Sequence, residues 1–367
     1  MAAYQNTIMN NALNCNKAEL IDPLSDVRWC SFVNDHSYGT IYQHPSWMKV
    51  ISLTYNQVRP LCFVLDDEQG NIRAALPCFV VISKLTGTRI VSLPFSSYSD
   101  PLVEDKKDFI NLLDEIIHHL KKFSASYYEL RCFRKQALVA DSKLEQHDYH
   151  KIHILDIEEG FEKISRLFHE DCIVRSVKKA FRCGVTIRQG CYEEDLKQFY
   201  FIHAITRKRQ GFPIQPYEFF KNMWEIMSPL GYFSLLLAEL SKKIIAGIVL
   251  FKFKDIVSFE HGASLTKYLP ARPNHILLWK AIEMACSEGY RYFDFGKTPP
   301  ENEGLLNFKS RWGAKMYNLP YFYYPQIKGM MSLEQKSFKH KLLLTFGKHM
   351  PLSLAKIMGR IAYHHLG

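Results

Sequence analysis

The run from Gly289 to Ala314, G-Y-R-Y-F-D-F-G-K-T-P-P-E-N-E-G-L-L-N-F-K-S-R-W-G-A, carries a carboxylate, Asp294, in an aromatic stretch and two cations, Lys309 and Arg311, two residues apart beside large apolar side chains. Tyr290 to Phe295 is a short aromatic run closed by Gly296, the pattern of a buried strand, and Asp294 sits at its end. After a polar loop, Lys297 to Gly304, the apolar Leu305, Leu306 and Phe308 lead to Lys309, Arg311 and Trp312. A cation held beside such side chains meets an anion in a partly desolvated place, where a charge-assisted hydrogen bond is stronger than in open water. The same residues also read as a strand, a surface loop and a helix or strand with ordinary basic decoration.

Two further groups of cations stand upstream. Arg175, Lys178, Lys179 and Arg182 fall at i, i+3, i+4 and i+7, one face of a helix, which is either solvated surface or a rail for a phosphorylated or lipid-linked substrate. Arg207 and Arg209 close a helix that begins near Glu194, where they complement the negative end of its dipole or face a substrate. Glu260 and His261 follow Ser258-Phe259 in a predicted strand. Asp294, and Glu260 with His261, could take a proton or orient an amine, or the carboxylates could serve as buried structural acceptors.

The elements that must position these residues repeat one plan. In the first half, strands at Leu61 to Leu65, Ile72 to Ile82 and Thr88 to Leu93 precede a Pro-bearing loop. An amphipathic helix follows, with Phe109, Leu112, Leu113, Ile116, Ile117, Leu120 and Phe123 on one face, and then a strand from Tyr127 to Arg131. In the second half, strands at Tyr232 to Leu240, Ile244 to Phe253 and Ile256 to Ala263 precede another Pro-bearing loop. A helix capped by Asn274 and stopped by Gly289 follows, then the strand from Tyr290 to Phe295. Trp47, behind His44-Pro45, reads as a core anchor near a helix start.

The run fDfG, a polar loop and G-L-x-x-F-K-x-x-W-G resembles the C-terminal signature of FemAB-like acyltransferases, distant relatives of the GNAT acetyltransferases. H-P-S-W from His44, R-x-x-K-K-A-x-x-x-G-V from Arg175 and T-x-x-R-x-G-x-P from Thr206 are similar to other stretches of that group, over roughly Tyr42 to Tyr324. The resemblance implies an α/β (α+β) fold of two tandem GNAT-like domains with mixed central sheets flanked by helices. The expected divisions are a polar lead-in over 1–39, a first domain over 40–150, a second over 151–326 carrying the motifs, and a basic amphipathic tail over 327–367.

It also implies transfer of an acyl or aminoacyl group to an amine of a cell-envelope precursor, peptidoglycan or exopolysaccharide sugar. Direct attack needs a neutral amine, a positioned carbonyl and stabilisation of the oxyanion, without a metal or a protein nucleophile. Lys309 matches the lysine of the family's F-K motif and would act near the reacting carbonyl or a substrate phosphate, with Arg311 assisting. Arg209 matches the arginine of the corner that faces the substrate cleft, with Arg207 beside it. The co-substrate is an acyl-CoA or an aminoacyl-tRNA, and no cofactor is expected to stay bound. Two departures narrow the reading: Leu265 to Asn274 carries no glycine where acetyl-CoA enzymes cradle pyrophosphate, and Arg209 to Gly231 leaves no room for a helical arm.

The 367 residues suffice for about two domains. Nine cysteines without a C-x-x-C pair fit a reducing cytoplasm and suggest neither a disulfide framework nor a zinc site. Met1 to Leu20 does not read as a signal peptide, and no window reads as a membrane span. The formal charge of +10 favours anionic partners, among them tRNA, phosphates and the inner face of an anionic membrane; the tail, with its net +6 over 328–367, suits such a membrane or reads equally as a helix docked on the body with its cations solvated. A different class of function remains open: a catalytically silent GNAT-fold scaffold, or a nucleic-acid- or anion-binding protein.

Overall fold

The computed structural model describes residues 17–325, 348–363 and 365, and these fall into two compact units. The first holds the described residues up to Asp148 together with Leu319 to Pro325 and His365; the second holds Tyr149 to Asn318 and 348–363.

In the first unit, β1 (Glu19–Ile21), β2 (Val58–Asp66), β3 (Ile72–Ser83) and β4 (Gly87–Val91) pair antiparallel in sequence order, and β5 (Ala125–Arg131) joins parallel to β4. The strand Lys315–Tyr324 pairs antiparallel with β5 through Tyr321 to Tyr324. Two helices precede this run. In α1 (Val27–Asp35), Asp26 accepts from the Arg28 N–H at the start, and Trp29 and Val33 are buried. In α2 (Pro45–Thr54), His44 caps the helix by accepting from the Ser46 N–H, with Pro at the first position where no donor is missed. Trp47 is buried there, as a core anchor should be. The stretch expected as a polar lead-in to residue 39 is therefore part of the core from Trp29 onward; one buried Trp per helix decides it, and its weak periodicity hid it. α3 (Lys106–Lys122) links β4 to β5 and lays Phe109, Leu112, Leu113, Ile116 and Leu120 on their sheet.

In the second unit the strand order is β6 (Glu145–Asp156), then β11 (Tyr292–Thr298), β10 (Ile256–Ser264), β9 (Lys243–Phe253), β8 (Phe233–Leu240) and β7 (Thr186–Gln189). β7, β8, β9 and β10 pair antiparallel in succession, β10 is parallel to β11, and β11 is antiparallel to β6. α4 (Arg175–Arg182), α5 (Glu193–Gln210) and α6 (Tyr217–Met227) precede β8, and α7 (Pro273–Ser287) joins β10 to β11 as α3 joins β4 to β5. The repeated plan is thus real in three dimensions: antiparallel meander, crossover helix, parallel strand. Each unit therefore contributes a mixed run of strands flanked by helices, the α/β arrangement expected of tandem GNAT-like domains.

Two local expectations fail. α7 is entered through Arg272 in the left-handed region (φ 57°) with Pro273 first, so Asn274 does not cap it; the Asn274 side chain instead donates to the Ser264 hydroxyl (3.4 Å). The following strand starts at Tyr292, because the Gly289 and Tyr290 amides are spent on Cys286 and Ala285 in closing the helix. Of the tail, residues 326–347 lie outside the described residues. α9 (Leu352–Tyr363) packs against α5, with Ala355, Gly359 and Tyr363 buried. No helix among the described residues is long and apolar enough to cross a membrane.

Candidate active site at the parting of two parallel strands

β10 and β11 hold together for only three pairs, Ile256 with Tyr292, Val257 with Phe293 and Ser258 with Asp294. At that level both strands slip register against their other neighbours, β10 between Phe259 and His261 and β11 between Asp294 and Lys297. Bulges at the same height turn the strands apart and leave main-chain groups there without a ladder partner from each other.

Gly296 makes the local turn. Its φ of +71° suits glycine, and a Cβ would stand 3.3 Å from the Phe259 carbonyl oxygen. Its N–H donates to the Asp294 carboxylate (2.7 Å), so the fully buried Asp294 fastens the turn. Its carbonyl accepts from Lys309 Nζ (2.7 Å), and the Lys297 carbonyl lies 3.4 Å from the same nitrogen.

Lys309 arrives on α8 (Glu303–Ser310), which Asn302 caps by accepting from the Leu305 N–H (3.2 Å). The lysine is 4% exposed, and Phe295, Phe308 and Trp312 form the aromatic packing of this end of the unit. Burial pushes its pKa down to about 8, against the pull of the Asp294 carboxylate, which favours the ammonium. At neutral pH the nitrogen is a cation with one N–H left after the two carbonyls. His153 of β6 is buried beside it, with Nε2 3.2 Å from the Ser310 hydroxyl; burial first, and then Lys309, push its pKa down to about 4.

The candidates named above divide accordingly. Asp294 and Lys309 come together, and Glu260 lies half-buried on β10 immediately past the parting. Arg209 is exposed and donates to the Thr266 hydroxyl beyond the end of β10. Arg207 is committed to the Pro213 carbonyl (3.1 Å) and the Tyr363 hydroxyl (3.1 Å), with its guanidinium over Phe212. Arg311 is exposed. On α4, Arg175 pairs with Asp171 (2.7 Å) and Lys178 with Glu170 (3.4 Å) in the turns before, while Lys179 and Arg182 are exposed.

His153 escaped sequence reasoning, although a histidine inside the apolar run Ile152 to Leu155 was the available signal. So did His203, which packs 5.6 Å from His261, the neighbour of Glu260 named above, between α5 and β10, with His203 Nε2 2.9 Å from the Gln215 side-chain oxygen.

The GNAT acetyltransferase domain family matches residues 172–310, the span that contains β10, β11 and Lys309. A curated protein, the UDP-N-acetylmuramoylpentapeptide-lysine N(6)-alanyltransferase of Weissella viridescens, is 24% identical over 318 residues, 79% of this chain and 90% of that one. Both matches support a FemAB-like acyltransferase. The fold is also similar to the solved structure of FemX, with a TM-score of 0.66 and 17% identity over 86% of this chain and 99% of that one. A tandem GNAT protein from the clavulanic acid biosynthesis pathway gives a TM-score of 0.52 and 9% identity over 84% of this chain and 98% of that one. The residues matched by the GNAT acetyltransferase domain family, 172–310, all lie in the second unit.

Proposed function

We propose that the second unit transfers an aminoacyl group to a primary amine of a peptidoglycan-type precursor. The observation that carries this is buried Lys309, tied to the Gly296 carbonyl where β10 and β11 part. An extended acceptor can add main-chain bonds at the parted edges, which brings its amine beside the donor's carbonyl. The amine nitrogen attacks the carbonyl carbon, and the oxygen takes up negative charge. The remaining N–H of Lys309 supports that oxyanion in a place of low polarity. The new C–N bond forms as the ester C–O bond breaks. Glu260, half-buried at the parting, takes the amine proton, which passes to the leaving hydroxyl. Asp294 holds the Gly296 turn and keeps Lys309 charged.

The exposed Arg209, Arg311, Lys179 and Arg182 are the cations offered to phosphates of a phosphorylated or lipid-linked acceptor, while Arg207 holds the corner that carries Arg209. The Weissella protein is named for alanyl transfer to a lysine N(6) of a UDP-N-acetylmuramoylpentapeptide, and this supports the same class of acceptor here, ahead of an amine on a polysaccharide sugar.

An aminoacyl-tRNA suits the donor place better than an acyl-CoA. Thr266–Ala271 coils into a 3-10 helix, the Tyr268 and Arg272 amides are spent on Leu265 and Leu269, and Pro273 has no N–H at the start of α7. Few amides remain there to cradle a pyrophosphate. The test gives the purified protein alanyl-tRNA or acetyl-CoA with a lysine-containing muramoyl pentapeptide and reads the product mass. Transfer from alanyl-tRNA that is lost in Lys309→Ala supports the reading; transfer from acetyl-CoA alone replaces the donor, and no transfer from either removes the proposal.

A further inference from the structure

We propose that the outer face of α9 rests on an anionic lipid surface. The inner face of this helix is fixed to the second unit. Gly359 lies so close to the Ile214 backbone that a Cβ would stand 2.6 Å from the Ile214 nitrogen, and the Tyr363 hydroxyl accepts from Arg207. The outer face carries Leu354, Ile357, Met358 and Ile361, the i, i+3, i+4, i+7 stripe of one helix side, and these are 46%, 57%, 44% and 56% exposed. Phe212, under the Arg207 guanidinium that Tyr363 also touches, is 41% exposed. A docked helix that turns a continuous apolar stripe outward marks a contact surface.

Charge identifies what covers it. Residues 348–363 contain Lys348, Lys356 and Arg360 and no Asp or Glu, and Lys356 reaches back over the Tyr200 ring (5.1 Å). In sequence, 326–347 adds four lysines against one glutamate. A second copy of this face would bring like charges together, which disfavours self-association. A bilayer with anionic headgroups instead accepts the stripe at the acyl boundary and the cations at the headgroups. Twelve residues span about 18 Å, too short for a hydrocarbon core of about 30 Å, so the helix lies on the surface.

Vesicle binding tests this without reference to the reaction. The full chain is floated with phosphatidylcholine vesicles, with and without phosphatidylglycerol. It should float with the anionic vesicles, less at high salt. The partition coefficient should fall about a hundredfold in Lys348→Gln/Lys356→Gln/Arg360→Gln. Ile357→Asn/Ile361→Asn should also release the chain while thermal unfolding stays unchanged, because both side chains already face outward. Absence of flotation with anionic vesicles overturns the proposal, as does full retention of the asparagine variant. Self-association of the parent chain that vanishes in that variant, without vesicle binding, assigns the face to a second copy and overturns it equally.

Discussion

Replacing Lys309 by Met separates a catalytic cation from a structural one. The pKa depression from 10.5 to about 8 corresponds to about 3 kcal/mol of unfavourable burial of the charged form at neutral pH. Methionine removes that burden. It also leaves the Gly296 carbonyl without its donor, which costs about 1–3 kcal/mol. The two nearly cancel, so the unfolding temperature should move by a few degrees at most. The rate should respond very differently, with kcat/KM for acyl transfer falling about 100- to 1,000-fold, the loss seen when an oxyanion donor is deleted. The assay pairs steady-state transfer kinetics with calorimetry. The pH dependence gives a second check: between about 8 and 10.5 the unfolded chain holds the Lys309 proton that the folded one has released. Native stability therefore gains a rise with pH there that the variant lacks. Unchanged kcat/KM, or a rate loss that merely follows the unfolded fraction, would refute the catalytic role.

Three further outcomes follow from other parts of the second unit. Burial pushes the His203 pKa down to about 3; its share of stability is complete above the ordinary value of 6.5 and is lost as pH falls below it, by about 1.4 kcal/mol per pH unit. Urea unfolding at pH 7, 6 and 5 should show a shallower acid loss in His203→Gln, and an identical slope would remove this histidine as a source. Gly359→Ala forces a methyl into the Ile214 backbone and should cost about 1–3 kcal/mol by overpacking, seen in thermal unfolding and in faster proteolysis within α9; a neutral effect would mean that α9 is not docked as described. Asp195 accepts from Arg188 and from the Cys191 and Tyr192 amides at the start of α5. Asp195→Ala should destabilise by about 2–4 kcal/mol at pH 7, and this difference should shrink in acid, because Arg188 and those amides hold the carboxyl below its usual range. A difference that persists at pH 2 would contradict that cause.

By itself the sequence determined the repeated succession of strands and helices and the motif around Asp294, Gly296 and Lys309, because alternation, helical spacing and glycine placement are local signals. It marked Lys309 as a cation among apolar residues, but only the fold decides that Nζ ends on the Gly296 carbonyl. That bond needs two bulges at one height and a helix to bring the side chain back across thirteen residues. Charge patterns were the least informative: Arg207, Arg175 and Lys178 look alike in sequence, yet one braces α9 and the others pair with acids a turn or two away. Long flexible cations find whichever partner the tertiary structure brings within reach, and spacing along the chain does not encode that. The burial of Trp29 and His153 was hidden for the same reason, since each depends on neighbours distant in sequence.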